Sequence, residues 1–268
     1  MRILAIGDFH GKFFLTREFL KKNKIDFIVS PGDLPDAVRL RNVIYKNWKE
    51  LNFKKMKFYE ILGLKKTRKL VLEDDISQHK IFKKLDSLNI PVFLIVGNGD
   101  YGNAIEYTEY APLKLSYKIE SECKNSDNIH CMSLKIKKIR EVSIIGIDSS
   151  VFFMFKRGIR NAKKKLIELF RSAKQPVIFL AHEPPYGTKL DVTRYKRSPR
   201  YGQHAGDKLV REIIERFQPA LCICGHVHEN QGKEKIGKTL VVNSGFGRRK
   251  ECAIININKK INVKFLKL

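Results

Sequence analysis

Asp8, His10, Asp33, Asn98, His182, His226 and His228 are oxygen and imidazole donors of the types that hold divalent metal ions. Each comes directly after a short apolar run. Ile3 to Ile6 leads into Gly7-Asp8-Phe9-His10, Phe27 to Ser30 approaches Gly32-Asp33, and Val92 to Val96 leads into Gly97-Asn98. Val177 to Leu180 leads into Ala181-His182, and Leu221 to Cys224 into Gly225-His226-Val227-His228. Asp-x-His alone is a common loop sequence. Glycine followed by alternating imidazoles at a strand end has no packing purpose, and five sites in one context point to a single metal centre. With no thiolate among the donors, the set suits Mn²⁺, Fe, Zn²⁺ or Ni²⁺ better than Cu(I) or Ca²⁺.

Elements of an open α/β sheet would bring these residues together, because ligands collect outside the carboxyl ends of its strands. Residues 1 to 35 read as strand, helix (Thr16 to Lys24) and strand, a βαβ unit. Residues 37 to 70 break that rhythm. Val43, Ile44, Trp48, Leu51, Phe58, Ile61 and Leu62 recur at helical spacing among eleven basic and two acidic residues, which predicts a basic helical insertion. Lys54, Lys55, Lys57, Lys65, Lys66, Arg68 and Lys69 should face outward. A helix from about Lys80 to Leu88 then returns to the Asn98 strand. Alternation in Leu134 to Ile139 and the run Val142 to Ile147 predict antiparallel strands of a second sheet within residues 112–148. Helices at Gly158 to Ser172 and Lys208 to Phe217 and strands at Thr239 to Asn243 and Cys252 to Leu266 complete one α/β domain over 1–268, with two packed sheets and helices outside.

At 268 residues, 43% of them hydrophobic, the chain can bury a full core. No apolar run approaches the roughly 20 residues that cross a bilayer, and Met1-Arg2 leads straight into a strand, so a cytoplasmic protein without a membrane partner is expected. The five scattered cysteines fit a reducing compartment. A formal charge of +25 attracts polyanions and phosphate esters and leaves nucleic acid open as a partner. The apolar stripe between 43 and 62 would serve either a dimer or the core, so oligomeric state stays open.

The ordered set Asp-x-His, Gly-Asp, Gly-Asn, His, Gly-His-x-His, followed by Asn243-Ser244-Gly245, resembles the signature of the calcineurin-like metallophosphoesterases from residue 7 to beyond residue 228. The resemblance implies a four-layer α/β/β/α sandwich of two mixed sheets. It also implies one metal on Asp8, His10 and His228, a second on Asn98, His182 and His226, and Asp33 bridging them. Mn²⁺ is the expected metal. Two divalent ions facing few carboxylates would bind a phosphoester, and a metal-bound hydroxide would attack phosphorus in line.

One position departs from the pattern. Many members carry a histidine after Gly-Asn that is thought to protonate the leaving oxygen; here it is Gly99, followed by Asp100. Losing a general acid matters least when the leaving group is a weak base, which favours phosphodiesters over alkyl monoesters. Asp33, Asp100 and His204 are the catalytic candidates. His204, in Gly202-Gln203-His204-Ala205-Gly206-Asp207, has two readings: a substrate-orienting group in the pocket, or a surface histidine before a helix that Asp207 caps. With Asn98, Arg194, Arg197 and Arg200 in the basic loop after His182 are the substrate-binding candidates. Glu183-Pro184-Pro185-Tyr186 would start that loop rigidly, with a cis bond at Pro184-Pro185 in view. The expected function is a dinuclear phosphodiesterase for nucleotide-like or other small phosphoesters. A nuclease and a catalytically weak interaction scaffold are the alternatives.

Overall fold

The structure, a computed structural model, describes residues 1–101, 117–149, 156–258 and 260–268. Runs such as Ile3-Leu4-Ala5 and Phe27-Ile28-Val29 are apolar at every position because both faces of their strands are covered. The first sheet contains the parallel strands β1 (Arg2–Ala5), β2 (Phe27–Ser30), β3 (Val92–Leu94) and β4 (Ile129–Cys131). The second contains β5 (Ile136–Ile139), β6 (Val142–Ile147), β7 (Val177–Ala181), β8 (Leu221–Cys224), β9 (Gly232–Ile236) and β10 (Thr239–Asn243), in the order β5-β6-β7-β8-β10-β9. Its inner four strands are parallel and its edges antiparallel. β11 (Glu251–Ile257) and β12 (Ile261–Lys267) return to the first sheet antiparallel, giving the order β12-β11-β1-β2-β3-β4.

Strand alternation divides the core into layers. Ile3, Ala5, Phe27 and Val29 meet Ile144, Ile178, Leu180 and Ile223 between the sheets. Outside the first sheet, α1 (Arg17–Lys22), α5 (Leu64–Asp86) and α6 (Ile119–Lys124) pack through Leu20, Ile81, Phe82, Leu85 and Ile119. Outside the second, α7 (Lys156–Ser172) and α8 (Lys208–Phe217) pack through Leu166, Phe170, Val210 and Ile213. These are the four layers of an α/β/β/α sandwich of two mixed sheets.

The inserted segment forms α2 (Val38–Lys46), α3 (Trp48–Asn52) and α4 (Phe58–Leu62), packed around Leu40, Phe58, Leu70, Val71 and Tyr101. Lys54, Lys55, Lys65, Lys66, Arg68 and Lys69 are exposed, whereas Lys57 is half-buried. The expected boundary at residue 70 and separate helix from Lys80 are corrected: α5 runs unbroken through 23 residues. Its buried stripe includes Thr67, Asp74, Asp75 and Gln78, so polar residues on the inner face hid the helical period. The expected second-sheet stretch begins at 112–116, outside the described residues.

Asp74 accepts the Ala37 amide at 3.1 Å just before α2, while its other oxygen is buried without a partner among the described residues. Burial, aided by the charges of Asp36 and Glu73, pushes its carboxyl up to about 7 against the pull of that amide. The folded chain therefore holds a proton that the unfolded chain releases near pH 4, and stability contributed by the neutral acid falls as pH rises through the window up to about 7. Asp74→Asn keeps an acceptor for Ala37 without the charge. It is expected to stabilise the fold at pH 8 by on the order of 1–2 kcal/mol and to be near neutral at pH 4. Urea titrations at the two pH values check this, and equal shifts at both would refute it.

Candidate metal centre

The site lies where β1, β2, β3, β7 and β8 end. Asp8, His10, Asp33 and His226 all have left-handed backbone conformations, with φ of 51°, 42°, 58° and 66°. Such conformations are strained for residues with a Cβ and persist only where the surroundings enforce them. Asp100 supplies part of that enforcement: Oδ2 accepts the amides of Asp33 and Gly97, each at 2.7 Å, and Oδ1 accepts that of Leu34 at 2.7 Å. Asn243 likewise donates to the carbonyls of Gly225 and Val227, at 3.3 and 3.0 Å, holding the loop of His226 and His228. Two glycines are required by close approach. A Cβ on Gly97 would collide with Asp33 Oδ1, and one on Gly225 with Asp8 Oδ2.

The seven expected ligands converge in two adjoining groups. In the first, His10 Nε2 lies 3.1 Å from His228 Nε2 and 3.4 Å from Asp33 Oδ2, and His228 Nε2 lies 3.2 Å from Asp8 Oδ1. In the second, Asn98 Oδ1 lies 2.8 Å from His182 Nε2 and 2.7 Å from His226 Nδ1, with the two imidazole atoms 3.2 Å apart. Asp33 faces both, because its Oδ1 is 3.7 Å from His182 Nε2. His182 Nδ1 donates to the Pro31 carbonyl at 2.7 Å, which orients the ring with Nε2 directed at the group. Phe246 lies flat on His228, 4.1 Å between centroids.

Burial holds His10 and His226 well below the usual imidazole range and lowers His228 to about 3, with neighbouring imidazoles and cations adding to the effect. These rings are neutral at physiological pH and present lone pairs to a cation. Burial also raises Asp8 and lifts Asp33 to about 6. At His182 burial lowers the pKa, but the charges of Asp33, Glu183 and Asp8 outweigh it and raise the value to about 9. Imidazole nitrogens packed 3.1 and 3.2 Å apart beside carboxylates that burial penalises fit two divalent cations: each ion would draw one nitrogen pair and neutralise the buried acids, displacing the proton that His182 otherwise holds.

The family model described as calcineurin-like phosphoesterase matches residues 1–230, most of the chain. This chain belongs to the calcineurin-like phosphoesterase family. Two of its side-chain clusters could hold metal ions: Asp8, His10, Asp33 and His228, and His182, Glu183 and His226. Uncharacterized protein MJ1162 of Methanocaldococcus jannaschii is 34% identical over 115 residues, 41% of this chain; the match spans half the length of that relative. A dimetal phosphatase from Danio rerio shares the fold with a TM-score of 0.58 at 9% identity, covering 99% of this chain and 96% of that one. TT1561 of Thermus thermophilus does so with a TM-score of 0.57 at 16% identity, covering 99% and 98%.

Other expected site residues lie outside the two ligand groups. Asp100, expected as a catalytic candidate, is fully buried with its oxygens engaged by the amides of Asp33, Leu34 and Gly97, where it shapes the Asp33 and Gly97 turns. His204 belongs to neither ligand group. Its Nδ1 is 2.7 Å from Asp191, its side chain is 41% exposed, and Asp207 caps α8 by accepting the Val210 amide. Arg194 and Arg197 are exposed, and Arg200 donates to the His204 carbonyl at 2.9 Å. The cis bond among the described residues is at Gln175–Pro176, not at Pro184-Pro185.

Two buried acids escaped the sequence reading. Asp191 accepts the Gly187 and Thr188 amides, at 3.0 and 3.1 Å, and so organises the basic loop. Glu183 groups with His182 and His226, their ligand atoms within 4.8 Å of one another. One of its oxygens accepts the Ser149 hydroxyl, while the other is buried without a partner among the described residues. Adjacency to His182 was its only sequence signal, and two following prolines pointed instead to a rigid loop.

Proposed function

We propose that the protein is a dinuclear phosphodiesterase for nucleotide-like or other small phosphodiesters, with Mn²⁺ the favoured ion and Fe, Zn²⁺ or Ni²⁺ competent substitutes. Asp33, facing both ligand groups, carries the dinuclear reading. When bound, the ions would polarise the phosphoryl oxygens and supply a nucleophile near neutral pH. Asp8, His10 and His228 would hold one ion, and Asn98, His182 and His226 the other. Glu183 adds a carboxylate beside the second group. No side chain projects from Gly99, so the leaving oxygen meets no acid from this turn, which favours a diester with a weakly basic leaving group. A reducing, cytoplasmic setting suits the five free cysteines.

Chelated protein reloaded with Mn²⁺ is expected to hydrolyse bis-p-nitrophenyl phosphate and to act more slowly on nucleoside 5′-monophosphates. Absence of diester turnover with each of the four metals would overturn the proposal. A nuclease is the second reading, favoured by the exposed Lys54, Lys55, Lys65, Lys66, Arg68 and Lys69. It requires nucleic-acid affinity that falls steeply as salt rises. Among the described residues no helix is long and apolar enough to cross a membrane.

A further inference from the structure

The helix that follows the Asp33 loop begins at the metal centre. Arg248 pairs with Asp36 Oδ1 at 2.6 Å and also donates to the His10 carbonyl. Further along, in α2, Tyr45 meets Tyr195, 6.0 Å between centroids. The Tyr195 amide is tied at 2.9 Å to Glu229, the neighbour of His228. The His10 loop, α2, the 195–198 segment and the His228 loop thus form a closed circuit of contacts.

Arg41 lies one helical turn before Tyr45, on the same face of α2. It is half-buried, and among the described residues its guanidinium has no carboxylate or carbonyl partner, whereas Arg39 pairs with Glu73 at 2.7 Å and Arg248 with Asp36. Arg41 thus stands between Asp36, which Arg248 ties to the His10 loop, and Tyr45, which meets Tyr195 beside the His228 loop. A partly buried cation beside a positive centre is unfavourable unless an anion joins it. The described residues supply none to Arg41, and a diester brings a single charge, which the ions would engage.

We propose that Arg41 binds a second phosphate of the substrate on the side of Asp8, His10 and His228, so that the enzyme selects phosphodiesters that carry a further phosphate group. This rests on the phosphodiesterase reading for its substrate class. Planar, two-pronged pairing with phosphate distinguishes arginine from lysine at such a position.

The test uses Mn²⁺-loaded wild type, Arg41→Ala and Arg41→Lys. Turnover is measured on the p-nitrophenyl ester of thymidine 5′-phosphate, with and without a 3′-phosphate, and calorimetry gives affinities for thymidine 3′,5′-bisphosphate and thymidine 5′-monophosphate. Arg41→Ala is expected to lower kcat/KM for the 3′-phosphorylated ester by ~10- to 10²-fold, the size of a lost charge-assisted bond, and for the other ester by less than ~3-fold. Affinity for the bisphosphate should fall selectively, Arg41→Lys should lie between, and bound metal should not change. Equal losses on both esters, or no loss, would overturn the role of Arg41 while leaving the phosphodiesterase reading intact. If wild type hydrolyses neither ester, calorimetry decides: a selective loss of bisphosphate affinity supports Arg41 and rejects the diesterase, and no selective loss rejects both.

Discussion

Asp33→Asn is expected to reduce metal-dependent hydrolysis by at least ~10³-fold, beyond the ~10²–10³ lost with one transition-state donor, while the chain stays folded. The loss follows from position. Oδ2 faces His10 at 3.4 Å and Oδ1 faces His182 at 3.7 Å, so one carboxylate would serve both ions. An amide presents one oxygen and no charge; it can still accept the Gly99 amide, which donates to Oδ1 at 2.7 Å, but cannot ligate on both sides. Burial has already raised the Asp33 carboxyl to about 6 in the metal-free chain, so its folded-state stability falls as pH rises through about 4 to 6. The metal-free variant should therefore melt no lower than metal-free wild type at pH 8. Metal per chain, kcat/KM and metal-free melting temperature check the three parts. A variant that kept two ions and the full rate would remove Asp33 from the centre.

The ligand loops were legible because each combines three local signals: an apolar run, a small residue and a donor. Gly97 and Gly225 show why the small residue belongs there, since each backbone passes against an Asp oxygen that a side chain would displace. Strand positions followed from the same runs, and Leu221–Cys224 and Val142–Ile147 agree with expectation at both ends. What escaped depends on partners distant in sequence. Asp100 looked catalytic beside Gly99, yet its acceptors are used by the Asp33 and Leu34 amides 67 and 66 residues away. His204 admitted a pocket reading and a surface reading, and its ring nitrogen lies against Asp191, 13 residues earlier. Arg41 was one of eleven basic residues in a stretch whose charge reads as solvated surface. The Tyr45–Tyr195 contact turns that helix toward the ligand groups. Local chemistry therefore locates the ligands, whereas the residues that steer substrate are set by how an inserted helix docks.

Gly99→His should produce the largest gain. The position is half-buried, a Cβ there would stand 3.3 Å from Asp33 Oδ1, and no left-handed φ bars a side chain. A shift of a few tenths of an ångström admits it. An imidazole beside the bridging Asp33 would be able to protonate a leaving alkoxide, which the present turn cannot do. General acids contribute ~10²–10⁴-fold, so a gain of ~10²-fold in kcat/KM for nucleoside 5′-monophosphates is expected at the low end of that range. p-Nitrophenyl phosphate, whose leaving group needs no proton, should change by less than ~3-fold. Loss of the added rate on the alkaline limb, as the new imidazole deprotonates, would distinguish proton donation from altered metal affinity. Gly99→Ala controls for the Cβ alone and should show neither effect. Equal changes on both monoesters, or no gain with both ions bound, would mean that leaving-group protonation does not limit this site.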